Sequence, residues 1–234
     1  MKYTYLLLHV LTLAYPLYKS FESKIRYYKK WKHLFPAIFF CAVIFILWDI
    51  YFTKRCVWGF NKDYISGIYL FELPIEECMF FFTVPFSCLF IYEVVKYFDK
   101  RMLLRTYSRY VSLLLVALLS LLAFSNTFRM YTFTTFIVCS ALILIGEFII
   151  RASYMAHFYM AYLFCLIPFF LVNGVLTYLP VVVYNDAENM GLRIISIPFE
   201  DIFYGMSLIL MNVMTYEWLS KKSNRGFRDT FIEH

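Results

Sequence analysis

Seven apolar stretches, each close to the thickness of a bilayer's hydrocarbon core, leave this chain little choice of fold. They lie at about 3–18, 34–53, 75–95, 110–125, 130–150, 156–179 and 199–219, and a helix needs roughly 20 residues to cross that core. Lipid offers no partner for a backbone N–H or C=O, so a span closes its own hydrogen bonds as a helix or joins a closed barrel. Barrel strands alternate apolar and polar residues, and these stretches do not. With 62% hydrophobic and 16% charged residues, a soluble globule could not cover so much apolar surface. The sequence therefore predicts an all-α, polytopic membrane protein with about seven transmembrane helices. The first stretch lacks a small-residue cleavage site and runs straight into a basic cluster, so it reads as an anchor rather than a signal peptide.

Lysine and arginine set the expected orientation. Segments 19–33, 96–109, Arg151 and the tail from Lys221 lie on one side and hold 16 of the 22 basic residues. Cytoplasmic loops carry that excess, which puts the amino terminus outside and the carboxyl terminus inside. The net charge of +6 needs no nucleic acid to explain it, because anionic lipid is the ordinary partner of such clusters.

The chain also repeats itself at an offset of 124 residues without a gap. Pro74, Glu76, Glu77, Tyr92 and Glu93 recur as Pro198, Glu200, Asp201, Tyr216 and Glu217, and His33, Asp49, Thr53, Asn61 and Gly67 recur as His157, Asn173, Thr177, Asn185 and Gly191. We divide the chain into a first three-helix repeat (1–105), a linking helix (106–127), a second three-helix repeat (128–222) and a polar cytoplasmic tail (223–234). Equivalent helices are four crossings apart, so the repeats are parallel. Their axis runs along the membrane normal, and equivalent residues share a depth.

Two polar layers follow. Asp49, Thr53, Asn61, Glu76 and Glu77 fall toward the outer side with Asn173, Thr177, Asn185, Glu200 and Asp201, whereas His33, Glu93, His157 and Glu217 fall toward the cytoplasm. The seventeen residues from Glu76 to Glu93 span roughly 25 Å of helix, too far for one small site. Proline followed by acids is also what an ordinary helix start prefers. Two membrane helices opening with adjacent acids, with Asp49 nearby, nonetheless mark the outer layer as the candidate site, because intramembrane acids are costly. The inner acids have Lys96 and Lys221 in reach for ion pairing, as Glu147 has Arg151.

Other chemistries lack their residues. The six cysteines form no C-x-x-C pair and read as small apolar fillers, and no H-E-x-x-H, Walker A or G-x-G-x-x-G pattern occurs. Phe and Tyr abound, with 27 and 21 copies, and ring faces beside a carboxylic acid suit carbocation chemistry: an acid protonates an alkene, rings shield the cation, and a carboxylate removes a proton.

Leu73-Pro74-Ile75-Glu76-Glu77 with Phe80-Phe81, Trp48-Asp49, Trp58-Gly59-Phe60-Asn61, Ile197-Pro198-Phe199-Glu200-Asp201 with Tyr204, and Tyr216-Glu217 together resemble the integral-membrane lycopene cyclases. In that family the two halves are separate small subunits or fused, and fungal members carry a phytoene synthase domain. This chain resembles the fused form without the synthase, over roughly residues 1–220. The resemblance implies cyclisation of the ends of lycopene to β-ionone rings through γ-carotene to β-carotene, a redox-neutral isomerisation without a cofactor, which agrees with the missing dinucleotide motif. It implies lycopene and membrane lipid as partners, assembly with other carotenoid enzymes as an option, and a multi-pass place in a bacterial cytoplasmic membrane. It also implies Glu76, Glu77, Glu200, Asp201 and Asp49 as catalytic, with Trp48, Asn61, Phe80 and Tyr204 at the substrate, to which the repeat adds Asn173 and Asn185 and the charge difference between the halves adds Arg193.

Arg193 precedes the second acidic pair by seven residues where the first repeat has Tyr69. A guanidinium there favours ionised Glu200 and Asp201 and leaves the proton with Glu76 or Glu77 as general acid, Asp49 relaying it. Two further classes stay open on the residues alone: a proton-coupled transporter, which wants more polar spans, and a non-catalytic subunit of a pigment-enzyme complex. A membrane prenyltransferase lacks its D-x-x-x-D clusters.

Overall fold

The computed structural model describes residues 3–232, and side chains as far as residue 222. Seven α-helices form among the described residues: α1 (Thr4–Lys19), α2 (Trp31–Lys54), α3 (Ile75–Phe98), α4 (Ser108–Ser125), α5 (Met130–Leu144), α6 (Met155–Tyr178) and α7 (Phe199–Ile232). The expected spans match them to within a few residues, apart from the last. The polar tail is not a separate segment: α7 runs on through it to Ile232. Five helical stretches are long and apolar enough to cross a bilayer, at 27–54, 75–98, 108–125, 130–149 and 155–178, and the fold is all-α and polytopic.

Short strands complete it: β1 (Trp58–Phe60), β2 (Tyr69–Leu70), β3 (Leu73–Pro74), β4 (Val182–Tyr184), β5 (Arg193–Ile194) and β6 (Ile197–Pro198). Adding 124 to the bounds of α2, β1, β2 and β3 reproduces those of α6, β4, β5 and β6, and it carries the start of α3 onto the start of α7. The duplication read in the sequence is therefore a duplication of elements.

The halves meet across β1 and β4, which pair antiparallel with Trp58 opposite Tyr184, Gly59 opposite Val183 and Phe60 opposite Val182. Gly59 and Val183 are equivalent residues, so a pseudo-twofold axis passes between them. Asn61 N–H donates to the Val181 carbonyl and Asn185 N–H to the Val57 carbonyl, both at 2.9 Å, which repeats the symmetry outside the ladder. The halves also interlock: α2 packs on α7 and α6 on α3, while α1 lies on α3 and α5 on α7. The linking helix α4 packs mainly on α5.

A single large cluster fills the bundle, including Phe45, Phe81, Tyr92, Phe136, Phe158, Leu208 and Val213. Lipid tails are as apolar as these side chains, so what holds the helices is close van der Waals packing and interhelical hydrogen bonding rather than escape from water. Outward-facing Leu7, Phe39, Leu47, Leu114, Leu163 and Leu171 are exposed, as a lipid-facing surface requires.

Each acidic helix is preceded by a two-stranded hairpin, β2–β3 or β5–β6. Gly67 and Gly191 enter these hairpins at φ +89° and +72°, a backbone that a Cβ disfavours. Phe71 and Ile195 sit at the tips with φ +56° and +62°, and a β-branched residue there is a real outlier.

Candidate active site

Adjacent acids at the start of a helix point about 100° apart, and the fold uses that difference. The first acid of each pair turns back to its own loop. Glu76 Oε1 accepts the Ser66 N–H at 2.6 Å, and Glu200 Oε1 accepts the Met190 N–H at 2.7 Å together with the Thr132 hydroxyl at 2.6 Å. Both side chains are fully buried, and each bond fixes the loop just before Gly67 or Gly191.

The second acid of each pair turns inward. Glu77 and Asp201 face a cavity of about 590 Å³ together with Asp49 from α2. Every carboxyl receives a phenol. Tyr5 donates to Glu77 at 2.6 Å, Tyr204 to Asp49 at 2.9 Å, and Tyr131 and Tyr184 to the two oxygens of Asp201 at 2.5 and 2.7 Å. Asn173 adds a long contact to Asp201 at 3.5 Å. Tyr184 lies outside the membrane-spanning segments, and its burial and the adjacent Asp201 push its hydroxyl well above the ordinary phenol range, so it stays a donor.

The remaining wall is apolar and aromatic. Trp58, Phe60, Phe80, Phe169 and Leu208 contribute to it, and no lysine, arginine or histidine lines it. Rings cluster around the acids: Trp58 lies 5.1 Å from Tyr131 and 6.0 Å from Tyr204, edge to face in both cases. The cavity extends between α1, α3 and α6 as far as Tyr15, Phe90 and Ile91. Those three residues also border a second hollow that ends at Phe98, Lys100 and Arg101. From Glu77 to Phe98 is 21 residues of helix, so the groove follows α3 for about 30 Å.

Of the residues expected at the site, Asp49, Glu77, Asp201, Phe80, Asn173 and Tyr204 reach the cavity, and the others stand elsewhere. Asn61 and Asn185 shape turns, accepting the Asp63 and Ala187 N–H groups at 3.0 and 3.1 Å. Trp48 packs behind the wall against Phe45 and Phe52. The hydrogen bonds of Arg193 go elsewhere: its guanidinium donates to Asp186 at 2.5 Å and to the Ser196 carbonyl at 3.0 Å, not to either acid of the second pair. The arginine also holds the Asp186 carboxyl below its usual range. An exposed aspartate seven residues upstream engages the cation that the sequence assigned to the site.

The inner layer is a separate assembly. Tyr92 donates to Glu217 at 2.7 Å and Tyr216 to Glu93 at 2.8 Å, a reciprocal exchange across the pseudo-twofold. Lys96 bridges both glutamates and Lys30 pairs with Glu93. Lys221, expected beside Glu217, lies instead over the Tyr154 ring, and Glu147 meets Ser112 rather than Arg151.

Sequence reasoning missed Tyr5, Tyr131 and Tyr184, and it did not single out His9. His9 is buried between Thr83 Oγ1 and the Glu76 carbonyl, 2.9 Å from each. Tyr184 is the repeat equivalent of Phe60, a mark that could have been read. Tyr5 and Tyr131 have no tyrosine at their equivalent positions, Arg129 and Leu7.

The fold and the acid-lined cavity define a helical integral membrane protein built from two parallel homologous halves around one apolar groove. A model of the lycopene cyclase family matches residues 2–95 and 128–219, and the chain belongs to that family. A bifunctional lycopene cyclase/phytoene synthase of the fungus Arthroderma gypseum is 29% identical over 94 residues, which cover 39% of this chain and 14% of the fungal protein. No solved structure matches the chain.

Proposed function

We propose that the protein is a lycopene β-cyclase. The observation that carries this reading is the meeting of Asp49, Glu77 and Asp201, each held by a phenol, at one end of an apolar groove. A transporter path would want a wetter lining. A long hydrocarbon fits a groove with few polar side chains, and the acids supply chemistry where its end arrives.

Asp201 accepts two phenols and faces an amide, which suits a carboxylate. Asp49 and Glu77 each accept one, and a proton shared between them gives the site its acid. Glu77 or Asp49 protonates the terminal alkene, forming a C–H bond and a tertiary cation. The neighbouring double bond attacks that cation and closes the six-membered ring. A carboxylate, Asp201 in this assignment, then removes a ring proton to leave the β double bond. One proton enters and one leaves, so the product is an isomer and no electrons are exchanged. Trp58, Phe80, Tyr131 and Tyr204 present rings that stabilise the cation without capturing it. Glu76 and Glu200 act by holding the loops.

The acid end is assigned to the outer side, with the amino terminus outside, on the lysine and arginine distribution. Expression in a lycopene-accumulating host tests the activity: pigment chromatography should show γ-carotene and β-carotene. Unchanged lycopene beside membrane-inserted protein would remove the proposal, and a strict need for reduced flavin would remove its cofactor-free mechanism.

A further inference from the structure

The two halves are equivalent in their elements but not in the space they leave. Gly205, on α7, opens into the cavity, where a Cβ would meet only ordinary contacts, the Tyr162 hydroxyl at 3.6 Å and the Phe169 ring at 3.7 Å. Its equivalent on α3 is Phe81, fully buried with its ring 6.1 Å from Phe45 and 5.5 Å from Phe80. Phe45 is the equivalent of Phe169, so Phe81 occupies the place that Gly205 leaves empty.

The same substitution of bulk for space recurs around it. Val172 lines the cavity and its equivalent is Trp48, which stacks on Phe45 at 5.5 Å and edges onto Tyr204 at 5.3 Å. Leu176 answers to buried Phe52. Thr12, on the wall made by α1, answers to Phe136, which is buried against Phe203 and Phe199 at 5.4 and 6.3 Å.

We propose that the chain holds one reaction chamber rather than two, with Gly205 opening it and Phe81 closing its twin, so that the ends of a linear polyene are cyclised one at a time with release between them. The proposal rests on the cyclase reading above. A polyene lying in the groove has its far end near Val94, Phe98 and Met160, about 30 Å from the chamber acids. The carboxyls at that end are engaged: Glu93 and Glu217 by Lys30, Lys96 and the two tyrosines, Glu22 by Lys19, and Asp99 by the Leu103 N–H. Among the described residues no unengaged carboxylic acid awaits the second end there, so the half-cyclised molecule has to leave the groove and return reversed.

An isotope chase tests this on the full chain in phosphatidylethanolamine/phosphatidylglycerol vesicles. Labelled lycopene is converted until monocyclic product appears, and a large excess of unlabelled lycopene is then added. Labelled monocyclic carotenoid should persist, with labelled bicyclic product falling about tenfold, as competition for one site requires. Bicyclic product that keeps its label at the unchased rate would overturn release, because both ends would then react during one stay. Vesicles that form no ring at all would overturn the cyclase reading itself, a different result. Gly205→Phe supplies the second arm and should slow both ring closures more than about tenfold, with loss of bound polyene absorbance. A folded Gly205→Phe protein that still makes the first ring at the parental rate, or stops cleanly at the monocyclic product, would point to a second working chamber. Should that variant fail to fold, the chase on the parent decides alone.

Discussion

The Tyr5 hydroxyl, on the first helix, donates to Glu77 on the third at 2.6 Å. Tyr5 also stacks on His9 with ring centroids 4.9 Å apart, and His9 bonds Thr83 and the Glu76 carbonyl. The helix that walls the groove is thereby tied to the helix that carries the acid. Tyr5→Phe removes one oxygen and leaves a half-buried carboxyl one donor short, a loss of about 1–3 kcal/mol in general. We expect cyclisation to fall by about tenfold or more at unchanged protein level, since 1.4 kcal/mol is a factor of ten. Pigment rates of the two proteins at matched membrane abundance check this, and equal rates would separate Tyr5 from the chemistry.

The inner clamp should behave in the opposite way. Glu93 is 1% exposed and accepts from Tyr216, Lys30 and Lys96, so Glu93→Ala strands a buried phenol and loosens two lysines. Their side chains are about a third exposed, and solvent screening tempers the loss to about 1–3 kcal/mol. The expected result is a lower melting temperature in detergent or nanodiscs with turnover per folded molecule within about twofold of the parent. Lost turnover at normal stability would make the inner layer part of the reaction.

These contrasts mark how far the residues could be read before the fold was known. Helix bounds and the duplicated architecture were legible because lipid forces helices, and because an offset of 124 survives in both polar marks and element ends. The acidic pairs were legible as pairs. Which member works was not, because adjacent helical residues diverge by 100° and only packing decides which of Glu76 and Glu77 faces the groove. The phenols were hidden for another reason: Tyr131 reaches Asp201 from 70 residues away, a proximity made by the docking of α5 on α7. The hydrogen-bond partner of Arg193 was not legible, because sequence distance to an acid says nothing of a nearer competitor, here Asp186.

Arg193→Ala should accordingly leave cyclisation within about twofold of the parent. Its effect falls on the loop and depends on pH. The arginine lowers the pKa of Asp186, so the pair contributes where the aspartate is ionised, above the ordinary value of about 3.9, and the contribution disappears as pH falls through the lower folded value. The difference in stability between parent and variant should be flat from about pH 6 to 8 and shrink below about pH 4. Melting curves across that range measure it. A tenfold loss of activity at neutral pH would restore the arginine to the site.

The sharpest division lies within each acidic pair. Glu77→Gln keeps shape and hydrogen-bonding capacity but removes the ionisable proton at the cavity, and general acid catalysis is worth about 10²–10⁴-fold. Asp201→Asn removes the carboxylate that accepts two phenols, with a similar expected loss. In Glu76→Gln and Glu200→Gln the amide oxygen can still accept the Ser66 and Met190 N–H groups, so the loops stay fixed and activity should remain within about fivefold of the parent. Glu76→Ala and Glu200→Ala cannot accept them and should destabilise the protein, by about 1–3 kcal/mol for each stranded N–H. Measuring pigment conversion and melting temperature across the six variants separates chemistry from support. If Glu76→Gln abolished cyclisation while Glu77→Gln spared it, the assignment of the inward-facing acid as the proton donor would be reversed.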